Sequence, residues 1–246
     1  MKLAEIREDE APPEVEAIYD KLRQAHGIPL VNLVWRHFAT LPGVLPWAWE
    51  SMAPAMPLVA AATRRVAEAL EPLPRLSLGG EAASLASLYN RGNLSNLIVL
   101  TALLRGKQGH APAPPERPPV MLPPPPPLPR LESLNAKARR EVLALAALHG
   151  HGGAIIPTLY LHLAHWPALL APLHASLSPM MATGRIAALR DKALAAASLE
   201  ADGLRPCMAM PDAPAADALT AARAILVQFT ERVIAEMVPI GLIIGR

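Results

Sequence analysis

Cysteine occurs once, at Cys207, so no internal disulfide can form and a reducing compartment is the simplest setting. Aromatic side chains make up only 4% of the chain, and Ala and Leu carry most of the apolar mass. That diet favours helices, because Ala and Leu lose little side-chain entropy there, whereas β-branched and aromatic residues favour strands. Charge of one sign is also lacking. The formal net charge is +2 with 18% charged residues, without the basic excess that a nucleic-acid interface concentrates on one face. No hydrophobic run is long: the apolar stretch 237–244 falls far short of the ~20 residues that span a bilayer. The first ten residues carry acids where a secretory leader would need an apolar segment. A cytoplasmic protein is expected, with neither membrane nor nucleic acid as partner. There is no phosphate-binding Gly-rich loop, no dinucleotide fingerprint and no Gly-x-Ser-x-Gly elbow. His149 and His151 flank Gly150 with no carboxylate or thiol at ligand spacing, so neither metal nor cofactor is expected.

What the chain does have is bulk and proline. Its 246 residues, 52% of them hydrophobic, can bury a sizeable core. Of 28 prolines, 11 lie between Ala111 and Pro129. Such a stretch can neither continue a helix nor serve a sheet, and it extends as polyproline II. Its place near the midpoint predicts a semi-rigid linker over 111–130, with a Pro-rich ligand for a partner's groove as the alternative. The flanking halves, 1–110 and 131–246, resemble each other. A shift of 125 residues pairs Val31 with Ile156, Trp35 with Tyr160, His37 with His162, Pro42 with Pro167, and Pro54 with Pro179. Two copies are too few for a solenoid, so an internal pseudo-dimer of helical repeats is expected.

Helical periodicity runs through both halves. Val15, Ile18, Tyr19 and Leu22 fall at i, i+3, i+4 and i+7 between Pro13 and Gly27, and Val31, Val34, Trp35 and Phe38 repeat the pattern up to Pro42. Further helices are predicted over 45–56, 58–70 and 81–104, and then over 135–149, 156–165, 168–180, 185–199 and 215–244. No period-two strand is visible, and the fold class is all-α.

Several residues invite a second reading. Trp35 and Phe38 share a helix face, either as core packing or as the aromatic wall of a pocket between the halves. Asn96 falls on the apolar stripe of the long helix and Asn93 lies close by; a buried amide there serves an interhelical bond or a ligand. Glu236 stands among Ile234, Met237 and Val238. It reads as a partner for Arg232 at i−4, or as a general base whose proton affinity burial would raise.

One resemblance is specific. The run Gly27-Ile28-Pro29, Val31-Asn32 and Trp35-Arg36-His37-Phe38-Ala39-Thr40-Leu41-Pro42-Gly43 resembles the group I DL-2-haloacid dehalogenases. So do Tyr89-Asn90-Arg91-Gly92-Asn93-Leu94-Ser95-Asn96 and Pro157-Thr158-Leu159-Tyr160 with His162, Ala164, Trp166 and Pro167. The resemblance implies an all-α pseudo-dimer that hydrolyses the carbon–halogen bond of short 2-halocarboxylic acids of either hand. An aspartate of the second repeat would activate a water for direct attack, with no cofactor. It further implies that Trp35 and Phe38 line the pocket with Ile155, Ile156 and Thr158 opposite, that Asn93 assists the water or substrate, and that Asn96, Ile234, Met237 and Val238 close it. The aspartate itself belongs near Pro157, yet residues 149–160 contain no carboxylate. Glu236 is then the base to name, and weak turnover is expected. Two other readings stay open: a redirected homologue that binds a small 2-substituted carboxylic acid, and an interaction scaffold recruiting a partner through the Pro-rich segment. Either a monomer or a homodimer suits these readings.

Overall fold

The computed structural model describes residues 3–76, 78–115, 119–150 and 155–245. Among the described residues there is no strand, and eleven α-helices succeed one another. They are α1 (Pro13–His26), α2 (Leu33–Phe38), α3 (Val44–Met52), α4 (Val59–Ala69), α5 (Gly80–Arg105), α6 (Ala136–Ala147), α7 (Thr158–His162), α8 (Leu170–Ala182), α9 (Arg185–Leu204), α10 (Ala216–Gln228) and α11 (Ile234–Ile244). The fold class expected from composition and periodicity is the one observed.

Local chemistry sets the boundaries. Helix α1 opens on Pro13 with Glu14 and Glu16 in its first turn, where acids favour the positive end of the helix dipole. It closes on Gly27 at φ 65°, whose N–H returns to the carbonyls of Arg23 and Gln24. Asn32 and Asn135 cap α2 and α6 by accepting from Val34 N and Ala138 N. The helix expected over 45–56 stops at Met52, because Pro54 and Pro57 lack the N–H an α-helix needs, and 53–58 winds as a 3-10 helix. The one expected over 156–165 shrinks to the five residues of α7 followed by 3-10 turns. That expected over 215–244 is divided by a π-helical turn, Phe229–Val233, where Thr230 Oγ1 donates to Leu226 O.

Two cores share the long helices. The first joins α1–α4 to the C-terminal half of α5, to Ala193, Ala197 and Ala201 of α9, and to α10. The second joins α6–α8 to Ala82, Leu85 and Ala86 at the start of α5. Helix α11 divides itself between them by face: Ile234, Val238 and Leu242 enter the first core, and Met237, Ile240 and Ile244 the second. Every residue of α11 is buried. The apolar run 237–244 is thus the spine between two cores, and no helix of the described residues is long and apolar enough to cross a membrane.

Each half opens with a 3-10 turn, a helix and a short helix, after which the first half adds three α-helices and the second four. That order supports the proposal of a duplicated unit. The halves interlock, since α5, α9 and α11 each reach beyond their own half's helices. The described part of the Pro-rich segment is laid on the body: Leu122 N donates to Gly27 O and Arg91 Nη1 to Val120 O.

The spine depends on a close crossing. Asn90 Nδ2 on α5 donates to Gly241 O on α11 at 2.7 Å, and a Cβ at Gly241 would lie 1.9 Å from Asn90 Oδ1. Gly241→Ala is therefore expected to destabilise the protein by about 1–3 kcal/mol through overpacking. Gly203→Ala on α9, where a Cβ meets nothing within 4 Å, is expected to be neutral or stabilising. Urea unfolding of both variants checks this; equal midpoints for the two would contradict the crossing's role.

Candidate small-molecule site

A cavity of about 60 Å³ lies where the two cores meet. One water needs ~10–15 Å³ on that measure, so the space holds roughly four waters or one short acid. Its wall is mostly apolar: Ile28, Leu30, Val31 and Leu33 before and on α2, Leu88 on α5, Ile155 and Ile156 before α7, and Phe229, Val233, Ile234 and Met237 around the π-turn. The π-turn shifts the register of the final helices at the point where they border the cavity, a common use of such turns.

Three polar side chains face this space without hydrogen-bond partners among the described residues. Asn93 on α5 is 6% exposed, yet its amide makes no bond to protein. Thr158, at the start of α7, likewise keeps its hydroxyl uncommitted. Arg36 on α2 is buried, and its Nε lies 3.0 Å from Glu5 Oε2 as an ion pair without an aligned hydrogen bond. Its Nη1 and Nη2 make no hydrogen bond to the described residues, and the side chain borders this cavity and two outer hollows. A cation in an apolar wall, two more polar groups and a small volume suit a small anion chemically.

Other wall residues are already bound. Tyr89 lies 2.9 Å from His162 Nδ1, and His162 Nε2 lies 2.5 Å from Pro126 O. A carbonyl only accepts, so Nε2 carries the proton and the Tyr89 hydroxyl donates to Nδ1. Burial keeps His162 below its ordinary range, and burial raises the Tyr89 phenol. The carboxylate on the wall is Glu8: Oε1 accepts from Val31 N at 3.0 Å and Oε2 from Arg23 Nη1 at 2.8 Å.

The structure thus brings Asn93, Ile155, Ile156, Thr158, Ile234 and Met237 together on the cavity. It places five other expected residues elsewhere. Trp35 and Phe38 are 1% and 0% exposed, edge to face at 5.9 Å, in the first core. Trp35 Nε1 donates to Asn96 Oδ1 at 2.6 Å, and Asn96 Nδ2 donates to Gly92 O at 2.7 Å. A buried indole N–H needs an acceptor, and Asn96 is spent on it, so neither lines the cavity. Val238 points into the first core on the other side of α11. The Glu236 carboxylate accepts from His149 Nδ1 at 2.8 Å and lies 3.5 Å from Arg190 Nη1. It faces away from the cavity, which removes it as base; its expected partner Arg232 gives way to Arg190. His151 lies outside the described residues. Among the described residues no group of His, Cys, Asp and Glu could hold a metal ion.

Sequence reasoning missed Arg36, Tyr89 and Glu8. The signal for Arg36 was available: α2 is buried from Val34 to Phe38, and a guanidinium between Trp35 and Phe38 on so short a helix is drawn inward with its neighbours.

Neither the family models nor the curated proteins match this chain. Solved structures do. A D-2-haloacid dehalogenase mutant superposes with a TM-score of 0.80 at 18% identity, covering 98% of this chain and 94% of the other. This chain has the D-2-haloacid dehalogenase fold. A D-2-haloacid dehalogenase in complex with L-LA gives 0.80 at 17% identity, and a mutant with D-2-CPA gives 0.77 at 19%, each covering 98% of this chain.

Histidine burial has a consequence for stability. His26 is fully buried, with Nδ1 on Ser95 Oγ at 2.8 Å, and desolvation lowers its pKa to about 4. Between that value and ~6.5 the unfolded chain binds a proton that the folded chain refuses, so stability falls as pH drops through this window. The loss should approach about 3 kcal/mol at the acid end, with His162 adding in the same direction. Urea unfolding at pH 7 and pH 4.5 should show it, and His26→Gln should shrink the difference; an undiminished slope in that variant would contradict the assignment.

Proposed function

We propose that the cavity binds a short 2-substituted monocarboxylic acid and supports slow hydrolytic displacement of halide at C2. The observation that carries this reading is Arg36: a buried guanidinium with its terminal nitrogens uncommitted, on the wall of an apolar cavity. A carboxylate on Nη1 and Nη2 would make paired charge-assisted bonds in a site from which most water is excluded. The apolar wall would take the C2 substituent, and the Asn93 amide stands ready to bond a water or the leaving group. The fold neighbours, crystallised with L-LA and D-2-CPA, support the same class of ligand.

Hydrolysis needs more. A water oxygen must attack C2 opposite the halide, which leaves with the bonding pair, while a base takes the water's proton. Residues 149–160 offer no carboxylate for this. Glu8 is the carboxylate on the described wall, and both of its oxygens are already engaged, by Arg23 and by the Val31 N–H. Turnover should therefore be slow. A well-placed base contributes about 10²- to 10⁴-fold, so Ile155→Asp should raise chloride release from D- or L-2-chloropropionate. Arg36→Gln should weaken lactate binding by about tenfold or more, from the loss of a charge-assisted pair. Calorimetry and chloride release together check this. Acid binding indifferent to Arg36→Gln would overturn the reading, and rapid chloride release by the natural chain would overturn the claim that it lacks a strong base.

A further inference from the structure

The Pro-rich segment was expected to be a connector, yet one of its residues enters the site. Leu128 borders the inner cavity, and it also borders two outer hollows of about 190 and 280 Å³. With Arg36, which also borders all three, it forms the partition among them, and it is the apolar member of that pair. The 280 Å³ hollow is floored by Pro124 to Pro127, and the 190 Å³ hollow opens toward Arg7 and Arg130.

Leu128 is not a loose plug. Three successive carbonyls around it are claimed by side chains of the body: Pro126 O by His162 Nε2 at 2.5 Å, Pro127 O by His165 Nε2 at 2.8 Å, and Leu128 O by Arg7 Nη2 at 3.4 Å. Prolines have φ fixed and no N–H to satisfy, so a run of them is ordered at little further entropic cost. The first of these bonds also ties the segment to the cavity, because His162 receives the Tyr89 hydroxyl at its other ring nitrogen, Nδ1. A wall held in this way resists being pushed aside by a longer ligand.

We infer that Leu128 is a specificity-determining residue: held by the carbonyls of its own Pro-rich segment, it ends the acid-binding cavity and limits the length of the ligand's carbon chain. This rests on the small-acid reading above. Each methylene that meets a fixed apolar wall changes affinity by about 10- to 200-fold, so truncating the wall should move the preference between short and long acids.

The test is calorimetric titration of the full chain and its Leu128→Ala variant with two unreactive 2-hydroxy acids, lactate and 2-hydroxyhexanoate. The natural chain should prefer lactate. Leu128→Ala should shift the affinity ratio toward 2-hydroxyhexanoate by about tenfold or more relative to the natural chain, while Leu128→Met should keep the natural preference. A purely structural role would weaken both acids alike. Lactate binding to both proteins with an unchanged preference overturns the inference alone. Binding of neither acid to the natural chain overturns the small-acid reading and this inference with it. Should Leu128→Ala fail to fold, Leu128→Phe decides: it should weaken lactate as well, and unchanged lactate binding by that variant would overturn the inference.

Discussion

The crossing of α5 and α11 is the constraint on which the rest of the structure hangs. Gly241 lets the two backbones approach until the Asn90 amide reaches a main-chain carbonyl of the other helix. Both helices serve two cores, so this contact sets the spacing between the cores as well as between the helices. The cavity lies in that spacing, with Leu88 and Asn93 on α5 facing Ile234 and Met237 on or near α11. A wider crossing would open the cavity, and a side chain at 241 would force one of its walls to move.

Polar side chains in and around the cores differ in whether the protein itself supplies their partners. Trp35 with Asn96, and His149 with Tyr160 and Glu236, are joined to each other inside the protein. Such networks fix packing, because any member left alone would carry the full cost of its lost water. Arg36, Asn93 and Thr158 keep polar atoms free of protein partners, and all three border the same small volume. Asn90 Oδ1 and His26 Nε2 are also buried without a partner, but away from this volume; the polar atoms on the cavity are the ones a ligand or ordered water can satisfy. The same comparison removes Glu236 from the chemistry and brings in Arg36.

The helices were legible in the sequence because apolar spacing and proline placement act locally. Pro13, Gly27 and Asn32 bound their helices as their chemistry requires. Periodicity reports that a face is buried, and it is silent on what lies opposite. Trp35 and Phe38 could therefore be recognised as buried while their surroundings, core or cavity, could not. Asn96 and Asn93 sit three residues apart on one helix, and only the distant indole of Trp35 decides that the first is spent and the second is free. The turn at Ile155, Ile156 and Thr158 was found through the resemblance. Leu128 was invisible, since nothing within 111–130 shows that this stretch folds back over the site. The π-turn was equally hidden, because no residue in Phe229–Val233 breaks a helix on its own.

The central claim is that a small carboxylate is held by Arg36. A crystal structure of the protein soaked with 2-chloropropionate tests it most directly. The account predicts density in the inner cavity with a carboxylate oxygen within hydrogen-bond distance of Arg36 Nη1 or Nη2 and the C2 substituent toward Asn93. An acid bound there with its carboxylate turned away from Arg36, or a cavity left empty at saturating ligand, would contradict it.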